Sequence, residues 1–165
     1  MREQRTDGSW VPLWFGNQHE ANQENPTYGT GKVLLAAESL PEDTPSGESI
    51  RQALGKGARW LLDNQSPDGG WGAGPGTPST IEETGFALEG LAAWKPTCGT
   101  PPSDLETSLT RGIDWLVQKT HLGTEFPESP IGLYFARLWY SERLYPRIAT
   151  AAALNRIQLA QDRGR

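Results

Sequence analysis

Cysteine is almost missing from this chain. Cys98 is the only one, which excludes an internal disulfide and any zinc cluster built from several thiolates; a reduced compartment fits this usage. A basic block is missing too. Lys and Arg number 15 against 20 Asp and Glu, the net charge is −5, and both signs are scattered. That balance argues against nucleic-acid binding. Long apolar runs are also lacking. No stretch approaches membrane-spanning length, and residues 1–20 have no apolar core of signal-peptide type. Peripheral contact with a membrane stays open. His19 and His121 lie far apart, and neither stands at ligand spacing with Cys98 or an acid pair. No bound metal is therefore expected.

What the chain does have is turn residues and indole. There are 19 Gly, 13 Pro and seven Trp. The Trp residues fall into a phrase used twice, Gln, a short gap, then Asp-Gly-x-Trp. It runs from Gln4 through Asp7-Gly8-Ser9 to Trp10, and again from Gln65 through Asp68-Gly69-Gly70 to Trp71. Self-similarity at a long period decides architecture before any single residue does. The first copy starts at residue 4, so we expect the chain to be the tail of a larger repeat protein.

Helical periodicity surrounds the phrase. Thr27 to Leu40 reads as a helix ending at Pro41, followed by a turn from Pro41 to Gly47. From Glu48 to Gln65, Ile50, Leu54, Ala58, Leu61 and Leu62 keep helical spacing. Residues 66–78 form a turn-rich loop. Ser79 or Thr80 then caps a helix running through Trp94 and stopping near Pro96, with Glu82 and Glu83 as first-turn charge. A further loop leads to Ser103, the expected cap of a helix reaching Thr120. Residues 122–130 are loop, and Ile131 to Gln161 reads as helix with a break at Pro146. Residues 15–26, rich in Asn and Gln, read as an excursion. No period-2 strand stands out, so the class is all-α.

The repeat extends beyond the Trp phrase. Gly57-Ala58-Arg59-Trp60-Leu61 matches Gly112-Ile113-Asp114-Trp115-Leu116 before it, and Thr30-Gly31 matches Thr84-Gly85 after it. A third unit keeps Gln118 and Gly123 without the Trp. Each unit is then an outer helix, a Gln/Trp loop and an inner helix, and such hairpins stack into a toroid. Two and a half units cannot close one, so an open edge and self-association, such as a homodimer, are expected. The side chains of Gln4, Trp10, Gln65 and Trp71 read as structural clips between hairpins. Trp60 and Trp115 read as packing between helices.

Lys56 to Gln65 followed by Gly69-Gly70-Trp71 resembles the QW repeat of triterpene cyclases, the squalene–hopene and oxidosqualene cyclase family. Trp10, Trp14 and Tyr28-Gly29-Thr30-Gly31 look like that family's Trp-rich loop and the helix after it. Phe126-Pro127, Tyr140 and Leu144-Tyr145-Pro146 resemble its C-terminal segment. The resemblance spans residues 1–165 and implies the C-terminal part of a catalytic α/α barrel. There are departures. The Trp14–Tyr28 loop and the Phe126–Pro146 interval are long, and Glu125 replaces a small residue. The family's Asp-x-Asp-Asp acid motif is absent from the chain.

In that family a strongly acidic Asp protonates an isoprene double bond or epoxide. The cation then migrates in a dry cavity, stabilised by aromatic faces that offer it no lone pair. The resemblance implies Trp14, Tyr28, Phe126, Trp139 and Tyr140 as cavity aromatics, with a place in the core as the alternative for each. It implies no catalytic residue and no cofactor in this chain, which alone is expected to be inactive. Its implied partners are a squalene-like isoprenoid, the N-terminal part of the cyclase and the cytoplasmic face of a membrane. The other reading is a non-catalytic helical-repeat module that binds a partner chain, such as the other half of a split cyclase.

Overall fold

The computed structural model describes residues 3–41, 47–94, 102–133 and 138–163. Its elements are β1 (Phe15–Gly16), α1 (Pro26–Ala37), α2 (Gly47–Asp63), α3 (Ile81–Ala93), α4 (Leu105–Lys119), β2 (Ile131–Leu133), β3 (Leu138–Tyr140) and α5 (Tyr145–Arg163). The helices α1, α3 and α5 pack side by side as an inner row. Outside them, α2 lies on α1 and α3, and α4 lies on α3.

Sequence sorts the two layers. The outer helices are amphipathic: α2 buries Ala53, Leu54, Gly57, Ala58, Trp60, Leu61 and Leu62 and turns Gln52, Lys56 and Asp63 to solvent. The helix α3 is covered on most sides, burying ten of its residues, Gly85, Ala87, Leu88, Gly90 and Leu91 among them. Small residues set the spacing of the inner row. A Cβ added to Gly90 would lie 2.7 Å from the Gly31 Cα, and one added to Gly85 would lie 2.8 Å from the Ala149 Cβ. The Thr-Gly pairs therefore sit where one inner helix touches the next. Arg156 of α5 closes the row with an ion pair to Glu38, at the C-terminal cap of α1.

Boundaries follow local chemistry. Asn25 caps α1, its side chain accepting the Tyr28 N–H, with Pro26 at the first helical position. Thr80, rather than Ser79, caps α3 by accepting the Glu83 N–H. The expectation for Ser103 is corrected: α4 starts at Leu105, and the cap position belongs to Asp104, which makes no capping bond. Its carboxylate instead takes both guanidinium nitrogens of Arg59 at 3.0 and 2.6 Å.

The stretch from Ile131 is also corrected. It opens with strands, and the helix begins at Tyr145 with Pro146 in its first turn, where a missing N–H costs no helical hydrogen bond. The strands form a small antiparallel sheet in the order β1-β2-β3, with Phe15 opposite Leu133 and Gly132 opposite Trp139. Residues 15–26 thus contain one strand within the loop. The expected turn from Pro41 to Gly47 falls mostly outside the described residues, as do the loop at 95–101, Tyr134 and Phe135. The first turn of α2 reaches back to Gly47.

Candidate functional site

The two Gln/Trp loops are held by matching Gln bonds. Gln4 Nε2 donates to the Gly8 and Ala53 carbonyls, both at 2.8 Å. Gln65 Nε2 donates to the Gly69 and Ser108 carbonyls at 2.8 and 2.9 Å. One amide thus closes its own loop and holds the first half of the next outer helix. The glycine of each phrase has a left-handed φ, +98° at Gly8 and +100° at Gly69, and Gly123 of the third unit keeps it at +82°. Side chains adopt that conformation only under strain.

Each Trp then enters the space between layers. The Trp10 N–H donates to Thr30 Oγ1 and the Trp71 N–H to Thr84 Oγ1. The Trp10 ring lies over Gly57, where an added Cβ would come to 2.5 Å, and the Trp71 ring lies over Gly112, at 2.7 Å. Trp71 is 0% exposed and its indole donates to the Leu61 carbonyl. The Asp of the phrase orders the turn. Asp68 accepts the Gly70 N–H, the Ser79 hydroxyl and the Trp115 indole. Burial pushes that carboxyl up, but these donors outweigh it and hold it below the ordinary value. Asp7 behaves the same way through Ser9.

A second feature stands at the start of the inner helices. Tyr28 of α1 lies 4.9 Å from Phe86 of α3, edge to face, and 5.3 Å from Phe15 of β1. Lys32 Nζ sits 4.8 Å from the centre of the Phe86 ring while paired with Glu89. Burial raises the Tyr28 phenol, and the nearby Tyr145 adds to the effect. Tyr145, the first residue of α5, also meets Tyr140 of β3, oxygen to oxygen at 3.4 Å. Phe15, Tyr28, Phe86 and Tyr145 are all half-buried. They form an aromatic wall across α1, α3 and the sheet. Rings of this kind can stabilise a passing cation through their faces while offering it no nucleophile.

Beneath the wall lie two acids. Glu82 and Glu83 occupy the expected first turn of α3, yet both are buried. Glu82 accepts the Ser129 N–H and hydroxyl; burial raises its carboxyl, and Ser129 offsets part of the rise. Glu83 Oε1 accepts the side-chain amides of Asn17 and Asn25 at 3.0 and 2.9 Å. Its Oε2 is buried with no hydrogen-bond partner among the described residues. Burial pushes the Glu83 carboxyl up to about 7. No group of three or more His, Cys, Asp and Glu able to hold a metal occurs among the described residues.

Residues 1–158 match the family described as the squalene-hopene cyclase C-terminal domain. The chain belongs to that family. It is 28% identical over 153 residues to a copalyl diphosphate synthase of Streptomyces cyslabdanicus, covering 93% of this chain and 24% of the relative. It is 30% identical over 128 residues to a squalene hopane cyclase of Aspergillus fumigatus, covering 71% of this chain and 15% of the relative. Among solved structures it superposes on an ent-copalyl diphosphate synthase from Streptomyces platensis with a TM-score of 0.65 and 25% identity, over 95% of this chain and 26% of that one. The chain therefore spans about a quarter or less of the length of these proteins. It is C-terminal-domain sequence of a class II terpene cyclase family, and its helical hairpins are part of an α/α toroid.

Within this cyclase segment the aromatics named from sequence separate. Tyr28 lies in the wall. Trp14, beside Phe15, is 61% exposed. Phe126 is half-buried under the Arg147 guanidinium, 5.6 Å from its ring centre. Trp139 and Tyr140 lie in β3, and Tyr140 meets Tyr145 of the wall. Phe15, Phe86 and Tyr145 were not among the cavity aromatics named from sequence, although Tyr145 stands in the C-terminal motif. Phe86 follows Thr84 by two residues whereas Tyr28 precedes Thr30 by two, so repeat matching does not pair them. Asn17 and Asn25 carried only the signal of an Asn-rich loop.

Proposed function

We propose that this chain forms one wall of the reaction cavity of a class II triterpene cyclase of squalene–hopene type. The observation that carries the reading is the Phe15–Tyr28–Phe86 row, three π faces in a chain that has no Asp-x-Asp-Asp. In the complete enzyme a strong carboxylic acid from another segment protonates a terminal double bond of squalene. The alkene π electrons form the new C–H bond and leave a tertiary cation. Successive double bonds then attack that cation, forming rings, until a proton is lost or water adds. The wall lowers the energy of cationic states by ring-quadrupole attraction and keeps lone pairs away. No metal or organic cofactor takes part in this sequence. By itself the chain is inactive, since it lacks the acid.

A substrate this apolar resides in lipid, so the enzyme works from the cytoplasmic face of a membrane as a peripheral protein. Among the described residues no helix is long and apolar enough to cross one. The rest of the barrel covers the open edge of the inner row, and a second copy covers it where the rest is missing. A second substrate reading has its own support: two similar proteins are named copalyl diphosphate synthases, which favours a C20 isoprenoid diphosphate.

The test is product analysis by gas chromatography and mass spectrometry. The chain is supplied alone, and then together with the segment carrying Asp-x-Asp-Asp, with squalene or a C20 isoprenoid diphosphate. We expect no product from the chain alone and polycyclic hydrocarbon from squalene with the acid-bearing segment. Cyclisation of the diphosphate alone would establish the second substrate. No turnover of either would leave the non-catalytic module reading.

A further inference from the structure

Glu83 is not needed for the wall by contact, yet it is tied to two of its rings. Asn17 follows β1, where Phe15 stands, by a single position. Asn25 caps α1 and holds the Tyr28 N–H through its Oδ1 at 3.0 Å. The Asn17 Oδ1 in turn holds the His19 N–H at 2.8 Å. Both amides are thus oriented with oxygen toward the backbone and nitrogen toward Glu83 Oε1. Both Asn residues are buried. Glu83 joins both ends of the 17–25 loop, and that loop connects Phe15 to Tyr28. Phe86 stands one turn along α3 from Glu83, on the same side of the helix.

We infer that Glu83 is a positioning residue for the aromatic wall, holding the loop from Asn17 to Asn25 as a neutral acid and loosening it when it loses its proton. The inference extends the cavity reading above, and its test requires no substrate. The geometry argues for the neutral form. Oε2 is buried with no hydrogen-bond partner among the described residues, and an unpaired anionic oxygen in a buried position is costly. The titratable groups around the site are Glu82 on the same helix, Glu128 next to Ser129, His19 and Glu20 on the loop, and Tyr28 on α1. Glu82 acts on Glu83 with like charge and opposes ionisation. The Asn17 and Asn25 amides that donate to Oε1 favour the charged form, and burial outweighs them. A half-ionised Glu83 near neutrality follows, its carboxyl being raised to about 7.

The experiment follows the side-chain amide signals of Asn17 and Asn25 in 1H–15N spectra of the chain between pH 5.5 and 8.5, with near-ultraviolet circular dichroism in parallel. Wild type is expected to show one transition in both signals with a midpoint near 7. Glu83→Gln keeps an oxygen for the two amides and has no proton to lose. It should hold the low-pH wild-type spectrum throughout. Glu83→Ala should show the high-pH spectrum throughout, and where it fails to fold, Glu83→Gln decides alone. His19→Gln should titrate like wild type. A transition that persists in Glu83→Gln, or one that disappears in His19→Gln, would overturn the inference. A flat wild-type profile would overturn it as well. None of these outcomes depends on whether the enzyme cyclises squalene.

Discussion

Replacing Trp71 by Ala removes the largest fully buried side chain of the molecule. Three losses coincide. The ring leaves the space beside Gly112, which Leu88 also borders and which the glycine has no side chain to fill. The Leu61 carbonyl loses the indole donor at 2.8 Å. The clip between the second loop and α4 keeps the Gln65 amide, the Asp68–Trp115 bond and the Arg111 guanidinium on the Ser66 and Pro67 carbonyls. Truncation of a buried aromatic costs about 3–5 kcal/mol, and the Leu61 carbonyl keeps the longer bond from the Asn64 N–H at 3.3 Å. A domain of this kind is stable by only about 5–15 kcal/mol. The variant should therefore lose about 3–5 kcal/mol, with the lower figure applying if water enters the gap to reach Leu61. Urea unfolding followed by far-ultraviolet circular dichroism measures this as a lower midpoint at unchanged slope. A loss under about 1 kcal/mol would refute the clip. Gly112→Ala tests the same space from the other side, because its Cβ would press on the Trp71 ring at 2.7 Å. Overpacking there should cost about 1–3 kcal/mol.

Gly69→Ala should destabilise the second loop by about 1 kcal/mol or more, because φ is +100° and the new Cβ would lie 2.9 Å from the Arg111 carbonyl oxygen. Thermal melting reads the change; an unaltered melting temperature would contradict it. The Glu83 proton has a stability consequence of its own. The folded carboxyl binds its proton up to about 7, against an ordinary value of 4.5. The unfolded chain therefore releases that proton first. This group's contribution is best below pH 4.5, declines as pH rises to about 7 and is level above. Glu83→Gln should be more stable than wild type at pH 8 by up to about 3 kcal/mol and close to it at pH 4.5. Equal stabilities at pH 8 would contradict the assignment. Asp68 works in the opposite sense: its carboxyl is lowered from 3.8, so its support is complete above that value and is lost as pH falls further.

The repeat was legible because its units rest on residues that few others can replace. Gly8 and Gly69 occupy left-handed turns, Gln4 and Gln65 bridge two carbonyls each, and Gly57 and Gly112 admit an indole. Such requirements leave a fixed phrase in the sequence. Helices α1, α2 and α3 were readable for the same reason, through caps and apolar spacing. The strands were not. Each is two or three residues long, too short for alternation to register, and their pairing joins Phe15 to Leu133 across most of the chain. Ser103 was misread because a good capping residue says nothing about competition. Here Arg59 takes the neighbouring Asp104, and the helix starts after it. The wall escaped notice because its rings come from unlike positions in each unit. Glu83 read as first-turn charge because acids favour a helix N-terminus; only the fold brings Asn17 and Asn25 to it.

The central claim is that the Phe15–Tyr28–Phe86 row faces the migrating cation in the complete enzyme. The most direct measurement is the product profile of Phe86→Ala, assembled with the segment that carries Asp-x-Asp-Asp and supplied with the substrate that wild type cyclises. The account predicts a fall in the fully cyclised product and the appearance of partly cyclised ones, with the protonation step retained. A variant that folds, turns over and yields the wild-type product distribution would contradict it.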